Sequence, residues 1–247
     1  MATDPLAPLM QLPGVAPAVE QARDALGRVH RHRANVRGWP VTAAEAALRA
    51  ARASSMLDGG ARRLGESGTT EPVLAGALRV AQALEGGQTH LVAVWQRAPL
   101  QALARLHILA AADLVEKDRL GRPRTDAQVA PRLELLADLL SGGTRVPVPV
   151  LAAVAHGELL TLRPFGSGDG VVARAVSRLV TIAGGLDPHG LGVPEVAWMR
   201  RAAAYRDAAR DFAAGTRDGM AAWLKLCCGA MQDGAREALW IADSLSR

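Results

Sequence analysis

The chain has two cysteines among 247 residues, and Cys227 and Cys228 are neighbours. Adjacent thiols rarely close an unstrained disulfide and match neither metal-ligand spacing nor a C-x-x-C redox pair, so a disulfide scaffold and a zinc ribbon are excluded. A reducing cytoplasm is the expected compartment. Aromatic residues make up 3% of the chain, with a single tyrosine, which leaves little material for β-rich folds or base-stacking platforms. No stretch of about 18 uninterrupted apolar residues occurs, so no membrane span is expected, and the opening residues lack the basic start and apolar run of an export signal. Lysine is confined to Lys117 and Lys225, so the positive balance of +5 is carried by arginine. Acidic residues are interspersed almost throughout, as on a solvated surface, and nucleic acid is not the expected partner. The densest basic run, Arg28 to Arg37, reads as a solvated helix face.

What the chain does have is alanine, leucine and helix punctuation. With 49% hydrophobic residues it can bury a substantial core. Pro5, Pro8, Pro13 and Pro17 predict a loose arm over residues 1–20, with an ordered helical domain over 21–247. "TAAE" at Thr42 to Glu45 has the form of a capping box and predicts a helix from there to "DGG" at 58–60. Helices are further predicted from Pro72 to Gly86, from Pro99 through Leu114, and over 131–141, 149–162, 171–183, 194–213 and 217–245. The one segment with strand character is "TRVPVPV". The fold class is therefore all-α.

The segment richest in chemistry is "RPFGSGDGVVAR", residues 163–174. Gly166, Gly168 and Gly170 allow a tight turn with exposed N–H groups, and the helix that follows adds its own unpaired N–H groups at the positive end of its dipole. Such a geometry suits an anion, most simply a phosphate. No strand precedes the loop and no G-K-[ST] ends it, so neither a dinucleotide fingerprint nor a nucleotide P-loop fits.

In its wider context the loop resembles the Fic family signature, A-H-x-x-[FL] followed by H-P-F-x-[DE]-G-N-G-R-x-x-R. Ala155 and His156 match the lead-in, and Pro164, Phe165, Gly168, Gly170 and Arg174 match the loop. The resemblance implies a single helical Fic-like domain, a nucleotide such as ATP as ligand, and AMP transfer to a hydroxyl. The positions that would do that work differ. Arg163 stands where the family has its general-base histidine, Ser167 where it has the magnesium-binding carboxylate, Asp169 where it has asparagine, and Val171 where it has the first arginine. A guanidinium keeps its proton and cannot accept another. A serine hydroxyl is a poor magnesium ligand beside a carboxylate, although the ion could shift to Asp169.

Upstream, "ASSMLDGG" resembles the inhibitory helix of Fic proteins, [ST]-x-x-x-[ED]-[GN], through Ser54, Asp58 and Gly59. That resemblance implies an ion pair between Asp58 and Arg174. "GRPRTDAQVAPRLELL", where the family carries a β-hairpin flap that docks a target protein, predicts a flap that is short or absent.

Two functional classes follow. One is a Fic-fold protein without AMP-transferase activity, holding at most a phosphate or nucleotide on Arg163, Gly166, Ser167, Gly168, Asp169, Gly170 and Arg174, with a regulatory or protein-interaction role. The other is an enzyme acting on a phosphorylated or nucleotide-linked small molecule in the same pocket, with Asp169 as base or metal ligand and Arg163 and Arg174 on phosphate. Arg163 reads first as a surface residue released from base chemistry, then as a phosphate clamp, and last as an electrophile. His156 and Glu158 form an H-x-E, but no P-C-x-x-C follows, so a packed, hydrogen-bonded histidine is expected rather than a zinc ligand.

Overall fold

A computed structural model describes residues 4–61, 71–87 and 89–246. Its centre is a pair of helices, α7 (Val148–Leu162) and α8 (Asp169–Ala183), folded back on each other through the glycine loop. Helix α7, "VPVLAAVAHGELLTL", is apolar on every side, the pattern of a helix with no solvent face, and it is buried on nearly all of them. In α8 even Arg174, Ser177, Arg178 and Thr181 are buried. The loop joining the two is thus held at the tip of a largely buried hairpin.

Around this hairpin, α1 (Val15–Arg31) packs on α11 (Arg217–Ser244), and α2 (Arg33–Leu57) packs on α3 (Pro72–Leu84) and α9 (Pro194–Arg200). Helices α4 (His90–Arg97) and α5 (Pro99–Ala111) lie against α8, α6 (Val129–Asp138) joins α5 to α7, and α10 (Ala202–Ala213) covers α7 and α11. Small residues set the distances. At Gly76 an added Cβ would fall 2.0 Å from the Ala110 carbonyl oxygen, so α3 approaches α5 as closely as backbones allow.

The all-helical class holds, and no strand occurs among the described residues. "TRVPVPV" is a coil whose end enters α7, with Pro149 in the first turn, where a missing N–H costs nothing. The expectation of a loose arm through residue 20 fails. Residues Ala7–Gln11 form a 3₁₀ turn, α1 begins at Val15, and Val15 and Val19 are fully buried. Pro17 lies in the first turn of α1, where its N–H would have had no helical partner. The Asp4 carboxylate accepts from the Thr144 hydroxyl and the Arg145 N–H, both at 2.7 Å.

The capping box at Thr42 fails too, because α2 starts nine residues earlier and runs through Pro40. Thr42 is interior, its hydroxyl donating to Asn35 Oδ1 at 2.8 Å, and Glu45 pairs with Arg49 instead. The alanine-rich buried stripe from Ala43 to Ala53 supplies tertiary packing that outweighs the proline. The single helix expected over 194–213 breaks at Arg201.

Candidate functional site

Helix α7 stops because Arg163 turns left-handed, φ 46 and ψ 60, the one non-glycine residue with positive φ among the described residues. That conformation costs about 1 kcal/mol for a residue with a Cβ and is usually left to glycine. Arg124 offsets it. Its Nε donates to the Arg163 carbonyl at 3.0 Å, its Nη2 to the Leu162 carbonyl at 3.1 Å, and its backbone N–H to the Pro164 carbonyl at 2.7 Å. A cation thus caps the negative end of the α7 dipole, and the Arg163 side chain is left exposed.

Phe165 turns inward and stacks on His107 of α5, ring centroids 4.0 Å apart and nearly parallel. His107 Nδ1 accepts from the Gly121 N–H at 2.9 Å. Burial lowers the His107 pKa to about 4, so the ring is neutral near pH 7.

Gly166 and Gly168 take left-handed turns that lead into α8 at Asp169. Asp169 is buried, and its Oδ1 accepts from the Phe165 N–H at 2.9 Å, so it braces the loop across four residues. Burial raises its pKa, against the lowering pull of the Phe165 and Gly166 N–H groups and of Arg163 and Arg124. Its Oδ2 and the Ser167 hydroxyl are buried without a hydrogen-bond partner among the described residues. No three His, Cys, Asp or Glu side chains converge as a metal site among them, and Ser167 with Asp169 makes a thin donor set for magnesium.

Asp58 ends α2 and reaches the same place from the other side. Its Oδ1 lies 2.9 Å from Arg174 Nη2, while Arg174 also donates to the Ser54 hydroxyl at 2.8 Å and the Ser54 carbonyl at 3.0 Å. Arg174 is 2% exposed, so burial works against its charge, but Asp58 and Tyr205 outweigh that and keep it protonated. The Asp58 carboxylate rests on Gly170, where an added Cβ would fall 2.3 Å from Oδ1. A carboxylate of the protein itself therefore occupies the first turn of α8, beside the N–H groups that suit an anion. Gly59, the third member of the upstream motif, takes the left-handed turn directly after Asp58.

Behind Arg174, His156 is fully buried, its Nε2 paired with the Tyr205 hydroxyl at 2.8 Å and its ring packed among Trp198, Tyr205 and Trp223. Burial and the Arg174 charge hold it neutral. Cys227 and Cys228 are buried thiols whose pKa burial raises.

A cavity of about 350 Å³ opens between the two sides, walled by Asp58, Val73, Leu114, Leu160, Arg163 and Asp169 over the backbone of Gly168 and Gly170. Among the predicted residues, Arg163, Gly168, Asp169, Gly170 and Asp58 meet there, whereas Ser54 and Arg174 stand behind Asp58. Gly166 and Ser167 belong to the loop but not to the cavity wall. Arg124 and His107, which shape the loop, and Val73 and Leu114, which wall the cavity, carry no local sequence signal. No helix among the described residues is long and apolar enough to cross a membrane.

No family model matches the chain, and no curated protein matches it in sequence. Among solved structures it is similar to the chain described as "Fic-1 (aa134 - 508) from C. elegans", with a TM-score of 0.70 and 16% identity, covering 94% of this chain and 74% of that one. The loop that the sequence likens to the Fic signature thus sits at the hairpin tip of an all-helical, Fic-like fold.

Proposed function

We propose that this protein does not transfer AMP, and that its loop cavity is a phosphate- or nucleotide-holding pocket, guarded by Asp58, with a regulatory or protein-interaction role. One observation carries the reading: the side chain at the position likened to the general-base histidine is the guanidinium of Arg163, which lines the cavity and cannot take a proton from an incoming hydroxyl. Asp58 and the two nearby histidines do not replace it. Asp58 is engaged with Arg174, His107 is turned away behind Phe165, and His156 is sealed in the core. Val171, buried in place of the family's first arginine, removes a charged phosphate contact.

Incubation with labelled ATP and magnesium tests the reading directly. No label above blank is expected on the protein itself or on an added protein mixture, and labelling above blank overturns it. The pocket is tested by thermal unfolding with pyrophosphate, ATP and ADP. Asp58→Ala is expected to be stabilised, by about 2.7 kcal/mol at a hundredfold excess over Kd, and the unsubstituted chain less so. Restoring Arg163→His, Ser167→Asp and Val171→Arg together asks whether the scaffold is merely disarmed.

The unpaired Oδ2 of Asp169 and its raised pKa favour a second reading, transfer chemistry on a phosphorylated or nucleotide-linked small molecule with Asp169 as base. Turnover of such a compound that Asp169→Asn abolishes, with the fold intact, would select it.

A further inference from the structure

Away from the loop, where α9 and α11 meet, a second cavity of about 340 Å³ is walled by Arg200, Arg201, Asp233, Arg236, Glu237 and Trp240. Trp240 is 57% exposed, although Trp223, Leu224, Met231 and Ile241 of the same helix are buried. From α2, the Arg49 guanidinium lies over its ring at 4.5 Å from the centroid. This cation–π contact fixes one face of the indole while leaving the ring widely accessible.

The carboxylates in this cavity are outnumbered. Asp233 accepts from both Arg201 and Arg236, and Glu237 accepts from Arg200 at 3.3 Å and from Arg49 at 2.5 Å. Both acids are largely buried, whereas the side chains of Arg200, Arg201 and Arg236 are 63%, 66% and 72% exposed. Each of these three arginines commits one nitrogen to a carboxylate, and a guanidinium carries five N–H donors. A planar fork held by one edge offers its remaining N–H groups to a second carboxylate, in the geometry that favours paired recognition. Exposed ion pairs of this kind contribute little to stability, so the array is poorly accounted for as a fold element. An exposed tryptophan ringed by arginines is, by contrast, the composition that dominates binding energy at protein interfaces.

We infer that this surface docks an acidic segment of a partner protein, with a non-polar side chain laid on Trp240 and carboxylates taken by Arg200, Arg201 and Arg236. The cavity is one compact basin rather than a basic track along which a nucleic acid could run. The inference is independent of whether the loop cavity binds phosphate.

The test uses the full chain and a labelled short peptide of alternating glutamate and phenylalanine, read by fluorescence anisotropy at low salt. Saturable binding is expected, lost when glutamine replaces glutamate. Trp240→Ala, and Arg200→Ala with Arg236→Ala, are each expected to weaken it about tenfold or more with the unfolding midpoint unchanged. Absence of saturable binding, equal binding of the glutamine peptide, or variants that bind normally would overturn the inference. Tighter binding of a labelled single-stranded oligonucleotide, or a dimer that Trp240→Ala dissolves, would overturn it by reassigning the surface to nucleic acid or to a second copy.

Discussion

Acidification is expected to weaken the site through His107. The ring is 1% exposed, stacked on Phe165, and its pKa is lowered to about 4 by burial, with the Arg119 charge adding to the effect. In the unfolded chain the same imidazole titrates near 6.5, so between those two values the unfolded state binds the proton and the folded state does not. Stability from this residue is complete above pH 6.5 and is lost as pH falls toward 4. Each pH unit across that interval is worth about 1.4 kcal/mol, so the whole loss is about 3 kcal/mol, a large part of a domain's stability. His107→Asn retains an acceptor near the Gly121 N–H but cannot charge. Urea unfolding of both proteins at several pH values from 7.5 to 4.5 is the assay. The variant is expected to start less stable, having lost the stack, and to lose less on acidification. Other histidines contribute equally to both, so parallel pH curves would refute the reasoning.

Two further outcomes are expected. Gly170→Ala drives a methyl group into Asp58, costing about 1 to 3 kcal/mol by overpacking. That cost is expected to shrink in an Asp58→Ala background, and a double-mutant cycle on unfolding free energies that shows simple additivity would contradict the contact. Arg178→Met leaves Glu195, 3% exposed and paired with it at 2.9 Å, as an uncompensated buried charge. Denaturant unfolding is expected to show a loss of about 3 to 5 kcal/mol, much of it recovered when Glu195→Leu is added.

The helices that could be read from the sequence were those whose ends are marked locally: Pro72 and Pro99 open α3 and α5, and Gly184 follows α8. Elsewhere tertiary burial overrides the local signal. Pro40 is carried inside α2 by the alanine face that packs on α3, α9 and α11, and Thr42, which looks like a cap, spends its hydroxyl on Asn35. Helix α1 was hidden behind prolines that fall at its start and before it, where the backbone has no helical N–H partner to lose. At the site, the loop glycines announce themselves by spacing, whereas Asp169 stands out, and Asp58 is tied to Arg174, only through resemblance to a family motif. Arg124 could not be found that way, because its role depends on a chain crossing that brings it to Arg163 from 39 residues away.

That crossing makes the loop a poor graft. Its left-handed corner is clasped from outside by a single side chain, so transplanting residues 163–174 onto another helical hairpin would carry the letters without the clip that shapes them. Arg124 sits in the connection between α5 and α6, so the course of that connection and the form of the loop are inherited together.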